Sequence, residues 1–171
     1  MRMFRYRMPR LLLALVLPAA IVACAPAPIY RTGPHSVVAT PQQVATAPAN
    51  FRNLEVVWGG EVIAVHNFAD HSEVEMLAYP LDSSQRPRLN QAPIGRFIAI
   101  VPGFVEPMNF PSGTLVTLRG MLDGARQGEV GRAPYTFALV QGEGMHRWTP
   151  DEMRQGHPNI SIGVGIGGWI H

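Results

Sequence analysis

The sequence predicts an all-β domain, a small antiparallel five- to six-stranded barrel that is OB-fold-like, set behind a signal peptide and a Pro/Ala-rich tether. Three observations predict it. Beyond Phe51 the apolar residues alternate or fall in short β-branched runs, and no stretch sustains a 3.6-residue period beyond two turns. Gly and Pro turn signals separate these runs at short intervals. One glycine pair, Gly59-Gly60, falls inside an apolar run and marks a bulge or sharp bend of the kind a small barrel needs.

The chain opens on Arg2, Arg5, Arg7 and Arg10, with no acidic residue before Glu55. Leu11 to Val22 follows as a run of twelve apolar residues with Pro18 inside it. At ~1.5 Å per residue it would span about 18 Å, too short for a bilayer core. A basic head, a short apolar body and a small residue before the cut are the parts of a secretory signal peptide, read over 1–23. Ala23 is followed directly by Cys24, the only cysteine, behind Ile21 and Val22.

From Ala25 to Asn50 the composition turns to Pro, Ala, Thr and Gln with almost no charge. The segment 24–50 therefore reads as a flexible tether. Within it Val37-Val38 is a candidate for pairing onto a sheet edge, and Gln42 to Ala45 for a helical turn.

The folded unit is expected over 51–150. Glu55 to His66 is β-branched and apolar and forms the first strand. Asn67 to His71 is a polar turn, and Ser72 to Leu81 alternates as the return strand of a hairpin. Asp82 to Pro93 is a loop and Ile94 to Val101 a third strand. Pro111-Ser112-Gly113 is a turn signal ahead of a fourth strand, Thr114 to Asp123. Gly124 to Gly131 reads as the hairpin connection to a fifth strand, Pro134 to Gln141, which resumes at Met145 to Trp148. Residues 151–171 are a Gly-rich C-terminal tail.

Charge excludes one class of function. All 14 basic residues are Arg, against 12 acidic ones. Removal of a signal peptide carrying four of them leaves ten against twelve, so the net charge of +2 becomes −2. No basic surface remains to suggest nucleic acid.

The residues around Cys24 resemble a bacterial lipobox. The resemblance implies cleavage between Ala23 and Cys24, a diacylglycerol thioether on Cys24 and an N-acyl chain on the new amino terminus. Two or more chains anchor stably where one does not. Ala25 and Pro26 follow, with no Asp at the second position. In enterobacterial-type sorting this implies passage to the outer membrane.

A second resemblance covers the domain. Val57-Trp58-Gly59-Gly60-Glu61-Val62-Ile63, Leu77-Ala78-Tyr79-Pro80-Leu81-Asp82-Ser83, Arg96-Phe97-Ile98-Ala99 and Gly103-Phe104-Val105-Glu106-Pro107 are similar to the Slp family of starvation-inducible outer-membrane lipoproteins. So are Val116-Thr117-Leu118-Arg119-Gly120 and Pro134-Tyr135-Thr136-Phe137. The resemblance runs from Ile21 to about Pro150 and implies a β-rich, periplasm-facing lipoprotein linked to stress or stationary phase. It brings no catalytic residues with it.

Residues that would carry chemistry are few. His66 and His71 flank one turn, and with Asp70 and Glu73 they are the nearest approach to a metal site, but their spacing matches no ligand motif. Glu73 and Glu75 share a strand face, as solvated strand carboxylates do. No G-x-S-x-G is present, and the lone cysteine is committed to lipid. Gly163-Val164-Gly165-Ile166-Gly167-Gly168 matches G-x-G-x-x-G in form, yet no helix can follow it three residues from the end of the sequence. The apolar tail Ile160 to Ile170 with Trp169 suits a membrane interface or a partner's strand edge. Trp58, Tyr79, Phe97 and Tyr135 are candidates for a stacking or partner face, against a core role that small barrels usually give such residues.

The expected protein is thus no enzyme and has no metal, no cofactor beyond the acyl chains on Cys24, and no nucleic-acid partner. It is an outer-membrane lipoprotein on the periplasmic side, with an envelope protein or glycan as its partner. A small-ligand or glycan-binding lipoprotein is the alternative.

Overall fold

A computed structural model describes residues 27–155. Ala23, Cys24 and the tail Ile160–His171 lie outside the described residues. The elements in chain order are α1 (Pro41–Thr46), β1 (Glu55–Asn67), β2 (His71–Tyr79), β3 (Gly95–Pro102), β4 (Leu115–Val130), β5 (Ala133–Arg147) and α2 (Pro150–Gln155). The five strands close in a ring of order β1-β2-β3-β5-β4, with β4 returning to β1. That order is OB-like, as expected.

One feature of the expectation is corrected: the ring is mixed, not wholly antiparallel. β3 and β5 run parallel, pairing Phe97–Ile100 with Ala138–Gln141. The reason is geometric. Five is odd, so directions cannot alternate all the way around a closed ring, and one neighbouring pair must be parallel.

The glycine pair makes closure feasible. Gly59, Gly60 and Glu61 pair with β2 on one side and β4 on the other. A Cβ on Gly60 would lie 2.0 Å from the carbonyl oxygen of Leu77, and one on Gly59 2.6 Å from Thr117 Oγ1. Neither position has room for a side chain. The bulge itself comes slightly later, between Val62 and Ala64.

Alternation sends Val56, Trp58, Val62, Val74, Met76, Phe97, Val116, Leu118, Leu122 and Val140 into one core. Trp58 and Phe97 meet edge-to-face at 5.1 Å. The core is completed from the segment read as a tether. Thr40 caps α1, accepting from Gln43 N–H while the Gln43 side chain accepts from Thr40 N–H. The helix then buries Pro41 and Val44, and Val44 is wholly enclosed in the core cluster. Trp58 Nε1 donates to Ala39 O at 2.7 Å. Ser36 bridges in parallel to Glu55, and Val37 N–H donates to Glu55 O. From Ser36 onward this stretch is packed structure, because Val44 joins the core cluster and Val37 and Ala39 pack against it.

Two further boundaries move. The segment Gly124–Gly131 is not a connection: β4 runs on to Val130, and pairing with β5 continues to Val130–Ala133. The residues after Pro150 begin with α2, whose Glu152 is buried. No helix among the described residues is long and apolar enough to cross a membrane.

Candidate functional site

The prolongation of β4 and β5 creates the most elaborate polar site. Beyond the β3 pairing the two strands continue as an arm that reaches over the outer face of β2 and β3. On β2, Val74, Met76 and Ala78 point into the core, so Glu73 and Glu75 point outward. Glu73 stands opposite Ile100 on β3 and His66 on β1, and Glu75 opposite Ile98. A shallow cleft results, lined by His66, Glu73, Glu75, Ile98, Arg126 and Phe137.

The two β2 carboxylates on this face are each engaged by an arginine. Arg126, from the arm, donates twice to Glu73, Nη1 to Oε1 at 2.8 Å and Nη2 to Oε2 at 2.6 Å. Such a planar fork is the strongest form of this contact. These hydrogen bonds hold Glu73 below the ordinary carboxylate range against the opposing effect of burial, and they raise Arg126 in turn. Arg96 Nη1 donates to Glu75 Oε1 at 2.6 Å. The backbone N–H of Arg96 donates to Tyr135 Oη at 2.8 Å, so a side chain from the arm stands in for a strand partner at the start of β3.

The histidines at the β1–β2 turn do not assemble a metal site. His71 Nδ1 lies 2.7 Å from Asp70 Oδ1, a contact that lowers the Asp70 pKa, and its ring stacks on Phe68 at 4.8 Å. His71 Nε2 is 3.7 Å from Glu73 Oε1, too long for a hydrogen bond. Among the described residues no three His, Cys, Asp or Glu side chains are grouped to hold an ion.

The four aromatics proposed as one face are divided. Trp58 and Phe97 are core, whereas Tyr79 and Tyr135 are half-buried in the wall. Tyr135 packs against Phe137 at 4.9 Å.

A second polar cluster lies outside the ring on β4 and β5. Trp148 Nε1 donates to Thr117 Oγ1 at 2.9 Å, and Thr117 Oγ1 donates to Gln85 O at 2.7 Å. Thr149 caps α2 through a reciprocal box with Glu152. His146 sits beneath it, 7% exposed, with Nε2 3.7 Å from Glu152 Oε2 and no hydrogen-bond partner. Burial pulls its pKa down, opposed by the Glu152 charge. The ring of Tyr30 packs here too, 5.9 Å from the Arg119 guanidinium, and burial pushes its phenol up to about 12.

Sequence reading missed Arg126, placed in a turn, and the whole outer cluster. One signal was present: Thr149-x-x-Glu152, like Thr40-x-x-Gln43, has the spacing of a capping box.

A family model described as "Outer membrane lipoprotein Slp family" matches residues 21–166. The chain is 41% identical over 113 residues to the "Uncharacterized lipoprotein YeaY" of Escherichia coli (strain K12), covering 64% of this chain and 58% of that one. It is 30% identical over 105 residues to "Outer membrane protein Slp" of the same organism, covering 61% and 55%. The chain therefore spans little more than half the length of these curated relatives. Among solved structures, a small single-stranded DNA-binding protein from Streptomyces coelicolor aligns with TM-score 0.34 and 13% identity, over 56% of this chain and 94% of that one. At that score the likeness carries no argument. The family match extends from the residues before Cys24 through all five strands, and by it the chain belongs to the outer membrane lipoprotein Slp family, a lipoprotein of the cell envelope.

Proposed function

We propose that this chain is a non-enzymatic lipoprotein, held on the periplasmic side of the outer membrane through acylated Cys24. In this reading its β-domain has a structural or partner-binding role in the envelope during stress or stationary phase. The observation that carries the reading is the Arg126–Glu73 clamp. OB-type domains bind oligomers on the face of strands 2 and 3. Here that face is crossed by the β4–β5 arm, its β2 carboxylates Glu73 and Glu75 are paired with Arg126 and Arg96, and those two arginines are no longer free to meet phosphates. Groups paired in this way serve cohesion, where catalysis needs a group poised to give or take a proton.

The test is cross-linking in intact cells followed by mass spectrometry. It is run on the native chain and on a Cys24→Ala form exported by a non-lipoprotein signal peptide. A partner captured only by the native form, with Cys24 acylated in the amino-terminal peptide, supports a tethering role. Following the protein's abundance through growth checks the stress link.

The alternative is a small-ligand or glycan module, and the cleft beneath the arm favours it as the place of binding. His66 and Glu75 both border that cleft. A peptidoglycan or lipopolysaccharide fragment at a hundredfold excess over its Kd would stabilise the domain by about 2.7 kcal/mol. A flat thermal screen removes this reading.

A further inference from the structure

Both ends of the described chain leave the domain beside one loop. At the amino end, Tyr30 N–H donates to Gln85 Oε1 at 2.8 Å, and Gln85 Nε2 donates back to Tyr30 O at 2.9 Å. Cys24 is six residues earlier. Extended chain advances at most about 3.6 Å per residue, so the acylated cysteine is rooted within about 22 Å of Tyr30. The loop that holds Tyr30 is therefore the part of the domain nearest the point of attachment along the chain.

At the carboxyl end, Arg86 of the same β2–β3 loop donates from Nη1 to Glu152 O at 3.4 Å and Met153 O at 3.0 Å, at the last turn of α2. Arg86 is itself held by Asp82, at 2.8 Å from Nε to Oδ2. Met153 lines one open cleft with Leu81, Arg86, Arg88 and Leu89. Beyond α2 the sequence Ile160 to Ile170 carries no charge.

The chemistry of this surface is that of a membrane contact. Leu89 is 49% exposed at the loop tip beside exposed Arg88, and Arg31 is exposed next to Tyr30. An apolar side chain between cations suits the boundary between acyl chains and anionic headgroups. Among the described residues the other exposed large apolar side chains are Val38, ahead of α1, and a group at the β1–β2 hairpin. Phe68 is at the tip of the β1–β2 hairpin, with Phe104 and Met108 in the loop that Asn67 and Ser72 hold to it. Nine residues of chain separate Phe68 from Gly59, which abuts Thr117 and Leu81. At ~3.3 Å per strand residue that is roughly 30 Å.

We infer that the β2–β3 loop face, with Leu89 and Arg88 at its centre and Arg31 and Met153 at its margins, lies against the lipid surface. Leu89 enters the interface and the guanidinium groups meet lipid phosphates. This rests on the reading of Cys24 as acylated.

The experiment uses the chemistry of Cys24. It is the only cysteine, and once acylated it leaves any introduced cysteine as the sole free thiol. The lipidated full chain bearing Leu89→Cys, and separately Met108→Cys, is labelled with an environment-sensitive fluorophore. Each is placed in vesicles of phosphatidylethanolamine and phosphatidylglycerol that contain a headgroup-depth doxyl quencher. The expected result is loss of most emission at 89 with emission at 108 retained, and partial recovery at 89 when Arg88→Glu is added. Equal quenching at both positions overturns the inference. So does an emission at 89 that is already apolar in character without vesicles and indifferent to the quencher, since the chain's own tail or a second copy then covers the face. Flotation and the mass of the amino-terminal peptide separate the two layers of the argument. A chain that floats with acylated Cys24 yet shows no quenching at 89 refutes the face alone, and one that stays in solution with unmodified Cys24 refutes both.

Discussion

The Arg126–Glu73 clamp gives the sharpest prediction about the domain itself. Arg126→Met keeps most of the apolar stem and removes the fork, leaving the Glu73 carboxylate, 11% exposed, with the His71 ring at 3.7 Å in place of a hydrogen-bonded guanidinium. Removing one partner of a fully buried pair costs about 3–5 kcal/mol, while an exposed pair contributes only about 0–1. Arg126 is 46% exposed, so water at the mouth of the cleft screens much of the loss, and the expected cost is about 1–2 kcal/mol. Urea unfolding of the native chain, Arg126→Met, Glu73→Gln and the double variant isolates the coupling. The sign of the pH dependence follows from the lowered pKa of Glu73. The folded chain binds fewer protons at this group than the unfolded chain does. Its contribution is complete above the ordinary value of 4.5 and disappears as pH falls through the lower folded value. Glu73→Gln should remove that part of the acid-induced loss. A coupling under about 0.3 kcal/mol, with the acid limb unchanged in Glu73→Gln, would refute the clamp as a source of stability.

Three further perturbations test the fold around it. Val44→Ala deletes two methyl groups from a wholly buried site on α1 and should cost about 1.5–3 kcal/mol in urea unfolding, where a free tether would show no change. Gly60→Ala sets a methyl group against the Leu77 carbonyl, a backbone atom that cannot rotate away, and should cost about 3 kcal/mol. Gly103→Ala, at φ +76 with open space around it, should cost only about 1 kcal/mol, and equal urea midpoints for the two would contradict the close approach in β1. Burial disfavours the charged form of His146 and lowers its pKa, so its contribution is present above the ordinary value of 6.5 and is lost as pH drops through the lower folded value. Thermal melts of His146→Gln should therefore lose less stability than the native chain on mild acidification, and parallel curves would show that burial does not control this group.

The strand positions were legible because they depend on short-range pattern. Alternation over Ser72–Leu81 and the β-branched run from Glu55 located β1 and β2 to within a few residues. Gly59-Gly60 signalled a place where chains crowd, although the register break itself falls at Val62/Ala64. Capping spacing at Thr40 and Thr149 was there to be read, but six residues are too few for helical periodicity to show. The arm was not legible. Gly124, Gly128 and Gly131, interleaved with charge, look like a loop, because strand preference measures packing against neighbours that a sequence does not display.

By itself, then, the sequence determined that the chain is β-rich and where each of its strands begins, to within a residue. Each of these is written in local order along the chain. Tertiary structure alone decided that β3 and β5 run parallel, that Val44 closes the core and that Arg126 reaches Glu73 across 53 residues. It also decided that both ends of the described residues, at Tyr30 and Met153, meet at the β2–β3 loop. These depend on ring closure, which joins residues distant in sequence and selects partners by where the backbone returns.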